Sequence, residues 1–138
     1  MIQDVTLSAK PRGVHLVHHE LLAGLDLPFE ANGVLHALLL HTSAGLCLTE
    51  NASPEVRLDL DTWFKDAVPD GWPAFRHTLE GPDDMPAHVV SILAGVSVML
   101  PVRRGRVTLG TWQGVTLVEP RDHASARTVR LTFLRADG

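Results

Sequence analysis

The run Val34-Leu-His-Ala-Leu-Leu-Leu-His41-Thr-Ser-Ala-Gly-Leu-Cys-Leu-Thr-Glu50 decides the fold of this chain. Two apolar segments, Val34 to His41 and Leu46 to Thr49, flank a small-residue bend at Ser43-Ala44-Gly45 and read as two strands. Their near-continuous apolar character means burial on both faces, as at the centre of a sheet or at an interface between subunits.

Upstream, Val5, Leu7 and Ala9 alternate with Thr6 and Ser8, and Val14, Leu16 and His18 alternate with His15 and Val17, giving two more strands broken at Pro11-Arg12-Gly13. Downstream, Ser53-Pro54-Glu55 starts a helix: a capping hydroxyl, a proline at the first helical position and an acid that complements the helix dipole. Val56, Leu60, Trp63, Phe64 and Ala67 define its apolar face, and Pro69-Asp70-Gly71 ends it. A second helix is expected from Pro86 to Ala94, stopped by Gly95, with Val89, Ile92 and Leu93 inward and His88 in its first turn. The remainder is β: Val96 to Val102, Arg106 to Leu109, Gly114 to Glu119 and Thr128 to Leu134, joined by short links that favour antiparallel hairpins. Strands before, between and after two helices make an α+β fold, a single domain over 1–138.

Composition narrows the function. A formal net charge of −4 argues against non-specific nucleic-acid binding, which calls for a basic surface. The single cysteine, Cys47, allows no intrachain bridge and fits a reduced, cytoplasmic setting. The start Met-Ile-Gln-Asp-Val-Thr has no basic, apolar leader, and the run Val34 to Leu48 is interrupted by His36, His41, Thr42 and Ser43, so neither a secretory signal nor a membrane span is expected.

The chemistry-bearing residues cluster. His77-Thr-Leu-Glu-Gly-Pro-Asp-Asp-Met-Pro-Ala-His88 brings two imidazoles and Glu80, Asp83 and Asp84 around a Gly81-Pro82 break through which no helix can run. These are the residue types of a metal site or an acid–base site. Of eight histidines, His41, His77 and His88 sit where regular elements meet polar loops. Their spacing allows either a divalent metal held by imidazoles or histidines that each hydrogen-bond locally. A reversal at Ala44-Gly45 would bring His41 near Glu50, which otherwise lies ~30 Å away along an extended chain; Glu50 would then serve as a general base or support a metal-bound imidazole. The duller alternative is that Asn51 and Ser53 cap the following helix. In Gly110-Thr-Trp112-Gln113-Gly114, Trp112 can stack on a planar substrate while Gln113 reads its polar edge, or the tryptophan can be structural. Arg121 can take a phosphate or carboxylate bidentately, or pair with a surface acid.

Taken in order, His41-Thr42-Ser43, Glu50-Asn51, His77 with Glu80-Gly81, Asp83-Asp84 through Ala87-His88, Pro101-Val102 and Leu109-Gly-Thr-Trp-Gln-Gly114 followed by Glu119 resemble the YjbQ family over nearly the whole chain. Members of that family are described as secondary thiamine-phosphate synthases. The resemblance implies an antiparallel β-sandwich with two helices, a homotrimer, and a His-rich site for a divalent metal. It implies His41, His77 and His88 as ligands and Glu50 and Asp84 as acid–base groups. Thr42, Ser43, Asn51, Asp83, Trp112, Gln113 and Arg121 would bind the phosphorylated small-molecule substrate. Imidazole ligands favour zinc or another transition metal over magnesium. The implied reaction couples a pyrimidine diphosphate to a thiazole phosphate; a metal-dependent hydrolase and a non-catalytic trimeric protein binding a small anionic metabolite are the alternatives.

Overall fold

The computed structural model describes residues 1–136. Eight strands and three helices follow one another: β1 (Ile2–Leu7), β2 (Gly13–Leu16), α1 (His18–Leu22), β3 (Gly33–Leu39), β4 (Gly45–Glu50), α2 (Pro54–Ala67), α3 (Asp84–Ala94), β5 (Ser97–Arg103), β6 (Arg106–Val107), β7 (Gln113–Glu119) and β8 (Arg127–Arg135). They form a five-stranded sheet in the order β1-β8-β3-β5-β6 and a three-stranded sheet in the order β2-β7-β4, with every pairing antiparallel.

The run Val34 to Glu50 does form two strands, but they do not form a hairpin. β3 lies at the middle of the large sheet and β4 at an edge of the small one, paired with β7 from Gly45↔Val118 to Glu50↔Gln113. The chain between them crosses from one layer to the other. Leu35, Ala37 and Leu39 of β3 then face Leu46 of β4, Leu100 of β5, Leu117 of β7 and Leu131 of β8 in one core between the sheets. Hydrophobic burial of these side chains is the main force closing the sandwich.

Helices α2 and α3 pack on the outer side of the small sheet, where Val14, Val68, Val90 and Val118 form a second, smaller core with Leu60 and Phe64 against it. Among the described residues, no helix packs on the opposite outer face, that of the large sheet. Val34, His36 and Leu38 point that way, in register with Pro101, Met99 and Ser97 of β5. One face of β3 is therefore buried by the core and the other is open in the single chain.

Three expectations need correction. The strand expected through His18 stops at Leu16: Leu21 N–H bonds Val17 C=O, and the buried Leu21 and Val17 stand one helical turn apart, so residues 18–22 become the additional helix α1. Helix α3 begins at Asp84, two residues before Pro86, because a proline anywhere in the first turn displaces no intrahelical bond. Its inward face is Ala87, Val90 and Ser91; Ile92 is 83% exposed and Leu93 57%.

Candidate metal centre

Asp84 and His88 stand four residues apart on α3 and so share one face of the helix. His77 reaches the same point from the loop before the helix. His77 Nε2 lies 2.6 Å from Asp84 Oδ2, and His88 Nε2 lies 3.1 Å from the same oxygen. The three ligand-type atoms lie within 4.8 Å of one another. Among the described residues this is the group whose donors converge in the manner of a metal site.

Asp84 is 2% exposed, so its charge needs partners. Its other oxygen, Oδ1, accepts from Arg121 Nη1–H, and neighbouring Asp83 Oδ2 accepts from Arg121 Nε–H at 3.1 Å and from Asp122 N–H at 2.9 Å. Burial opposes the charge on Asp84, but the His77 hydrogen bond and the Arg121 charge outweigh it and hold the carboxyl below its ordinary value. Asp83 is held down likewise, burial being outweighed by the Asp122 amide and Arg121. Arg121 therefore aims the Asp84 carboxylate at the imidazoles.

The tautomer of His88 tests whether this group fits a cation. His88 Nδ1 lies 2.8 Å from Thr42 C=O, which only accepts, so Nδ1 carries the proton. In the neutral ring Nε2 is then a bare lone pair facing a carboxylate oxygen. Two acceptors at that distance repel unless a proton or a metal ion lies between them. The donor set of two imidazoles and one carboxylate, with the far ring nitrogen held by a backbone carbonyl, fits a divalent transition metal.

Helix α3 is seated on the sheet by an unusually close approach. Leu46 N–H donates to Gly95 C=O at 2.8 Å, and a Cβ on Gly45 would stand 2.5 Å from Ala94 Cβ. Only glycine admits the helix end this closely. Two cavities flank the centre: one of about 280 Å³ lined by Trp72, Phe75 and His77, and one of about 460 Å³ lined by His41, Thr42, His88 and Ile92.

The expected site residues fall into distinct places. His41 lines the cavity beside His88, but it is outside the converging group; its Nε2 accepts from Thr128 N–H at 2.8 Å. Burial and the nearby Arg127 charge lower its basicity, with Glu119 partly offsetting them. Thr42 contributes its carbonyl and Ser43 contacts Arg127. Arg121 spends its Nε–H on Asp83, one N–H of Nη1 on Asp84 and one of Nη2 on Glu80 C=O, so it positions the centre.

Glu50 is not part of the centre. Its carboxylate accepts from Ala52 N–H at 2.7 Å and Ser53 N–H at 3.0 Å, shaping the entry to α2 in the place expected of Asn51 or Ser53. Thr42 and Gly45 lie at the metal-centre end of β4, and about 17 Å of strand separates that end from Glu50. Asn51, Trp112 and Gln113 share the far end: Asn51 Nδ2–H donates to Thr111 C=O and Gln113 C=O at 3.1 Å each. The crossing between layers, unseen in the sequence, is what parts these residues from His41.

One buried pair escaped the reading altogether. Arg127 Nε–H and Nη2–H donate to the two Glu119 oxygens at 2.7 Å each, with Glu119 only 1% exposed. The signal was present, a glutamate inside an apolar strand and an arginine opening another, but each alone resembles an ordinary charged residue at a strand end.

Comparison with known proteins agrees with this architecture. The family model described as UPF0047 protein YjbQ-like matches residues 3–136. The UPF0047 protein YjbQ of Salmonella typhimurium is 51% identical over 132 residues, covering 95% of each chain. A UPF0047 protein of Synechocystis is 37% identical over 125 residues, covering 91% of this chain and 85% of the relative. The crystal structure of a conserved hypothetical protein from Thermus thermophilus superimposes with a TM-score of 0.84 at 31% identity, covering 96% of this chain and 99% of that one. The chain belongs to the YjbQ-like UPF0047 family.

Proposed function

We propose that this protein is a metal-binding enzyme in which His77, Asp84 and His88 hold a divalent transition metal, zinc being the best match to these donors. The observation that carries the reading is the convergence of two imidazole nitrogens on one buried carboxylate oxygen, with the His88 tautomer set by Thr42. The proposed reaction is the one the family resemblance implies, coupling of a pyrimidine diphosphate to a thiazole phosphate. When bound, the metal supplies Lewis-acid charge for phosphate oxygens.

The chain's own residues do the rest. Arg121 orients Asp84, and Asp84 in turn orients His77 and His88. His41 keeps its proton on Nδ1 because Nε2 accepts from Thr128, so it offers a neutral N–H donor from the wall of the cavity beside His88. Three protein donors are also the number typical of catalytic zinc sites, which favours a metal-dependent hydrolase as the second reading. Glu50 is not its base.

A homotrimer in the cytoplasm belongs to the same proposal. The uncovered face of the large sheet, with Val34, Leu38, Met99 and Pro101, supports self-association, and the unpaired Cys47 supports a reducing compartment. Among the described residues no helix is long and apolar enough to cross a membrane.

Metal analysis of purified protein, paired with an assay of both thiamine precursors, tests the reading. We expect about one metal ion per chain, and coupled product that vanishes in His77→Ala and His88→Ala. Product without the second precursor points to the hydrolase. Absence of metal after reconstitution, or activity unchanged in both variants, sinks the proposed centre.

A further inference from the structure

The far end of β4 carries a further cavity, of about 600 Å³, that the candidate metal centre does not use. It lies between α1 and the paired ends of β4 and β7, where Glu50 stands opposite Gln113. That size is within the range of small-molecule pockets. Its lining includes Leu16, His18, Asn51, Ala52, Gln113 and Gly114.

Three of those residues are held so that one polar group each is left unused. Asn51 Nδ2 is committed to two carbonyls, which fixes the amide orientation and leaves Oδ1 as an acceptor with no partner among the described residues. Gln113 Oε1 accepts from Gly110 N–H at 2.9 Å, leaving the amide NH2 as a donor with no partner among the described residues. His18 Nδ1 accepts from Val115 N–H at 3.4 Å, so the neutral ring carries its proton on Nε2. Burial, with the neighbouring His19, lowers the basicity of His18 and keeps it neutral near pH 7. The set therefore comprises two donors and one acceptor, each pre-oriented by the backbone.

Among the described residues no lysine or arginine lines the cavity, and the acid that does, Glu20, is paired with Lys10 at 2.6 Å. A phosphate or carboxylate would find no strong partner there. Leu16 and Ala52 supply apolar surface, and Gly114 lets the walls close on the strand: a Cβ at that position would stand 2.9 Å from Leu16 Cδ2 and 3.2 Å from Asn51 Cβ. We propose that this cavity is a second binding site, for an uncharged planar nitrogen heterocycle read along one edge by Gln113, Asn51 and His18. The site does not depend on a metal at His77, Asp84 and His88.

The test is titration of the 15N-labelled full chain with cytosine, adenine and nicotinamide in turn, with inorganic phosphate as control. At least one ring should give saturable shifts at Gln113, Gly114 and His18, and phosphate none. Gln113→Glu keeps the acceptor for Gly110 but removes the donor, and should weaken binding by roughly tenfold. Ala52→Phe, which fills the cavity from an exposed position, should abolish it; His77→Ala should leave it unchanged. The spectrum of each variant reports its folding, and Gln113→Glu carries the test if Ala52→Phe is disrupted. No saturable shift with any ring, binding indifferent to Gln113→Glu, or phosphate displacing the ring would overturn the proposal.

Discussion

Arg121 and Asp84 meet through Nη1 and Oδ1, and this contact decides which oxygen of the carboxylate faces the two histidines. Removing the arginine leaves a buried carboxylate without its cation. Arg121→Ala should cost roughly 2–4 kcal/mol in urea unfolding, with Arg121 itself partly exposed and so below the largest values for buried pairs. Metal affinity measured by calorimetry should fall about 10–100-fold, the usual effect of losing a residue that orients a ligand. Unchanged affinity would show that Asp84 is aimed by something else.

Under the proposed function, replacing the converging donors should abolish metal binding. Asp84→Asn, His77→Ala and His88→Ala, each reconstituted with zinc, should hold well below one equivalent of the metal, read by elemental analysis after dialysis. His41→Ala should retain it, because His41 stands outside the group and is bonded to Thr128. Loss of metal in His41→Ala would restore the imidazole triad that the family resemblance implies.

The Glu119–Arg127 pair predicts a non-additive cycle. Glu119→Gln or Arg127→Met alone should destabilise by about 3–5 kcal/mol, since each leaves its partner buried and unpaired. The double variant should cost less than the sum of the two. Equal and additive losses by denaturant unfolding would mean that the pair contributes no mutual energy.

His41 makes stability depend on pH in a stated direction. Its folded-state basicity is lowered, first by burial and then by Arg127, and its Nε2 is occupied as an acceptor. On acidification the unfolded chain takes up this proton first, near pH 6.5 for a free imidazole. The His41 contribution is therefore full above that pH and is lost as pH falls from about 6.5 toward the lower folded value. Below the folded value the loss levels off. His41→Asn should flatten that part of a stability–pH curve measured by thermal unfolding; an unaltered curve would assign the slope to other histidines.

Gly45 should tolerate no side chain. Gly45→Ala puts its methyl group against Ala94 where the helix end meets β4, and should cost about 1–3 kcal/mol. If the α3 terminus moves instead, the shift will appear in the amide resonances of Gly95 and Leu46.

What could be read in the sequence depended on how local the cause was. Pro54 announced the start of α2 correctly although the Ser53 hydroxyl makes no capping bond, and Gly95 announced the end of α3, because such signals act within one turn. Pro86 misled by two residues: proline is permitted throughout the first turn, and moving the start to Asp84 is what brings Asp84 onto the face of His88. That shift turned a supporting acid into the centre of the cluster. The apolar run at Val34 was legible as strand, but not the crossing after Leu39 that sends β4 into the other sheet, since layer choice depends on partners roughly 60–100 residues away. Glu50 was misplaced for that reason alone. Ile92 and Leu93 show the same limit, for their periodicity says that α3 has an apolar face without saying what meets it.

Strand β4 works as a ruler. Its six residues hold a carboxylate-and-imidazole centre at one end and a neutral, hydrogen-bonding pocket at the other, at a spacing that backbone pairing with β7 does not allow to vary. A molecule smaller than about 17 Å can be addressed by one end or the other, but a single chain cannot grip it by both at once. Size alone thus sorts what each end of the strand can touch.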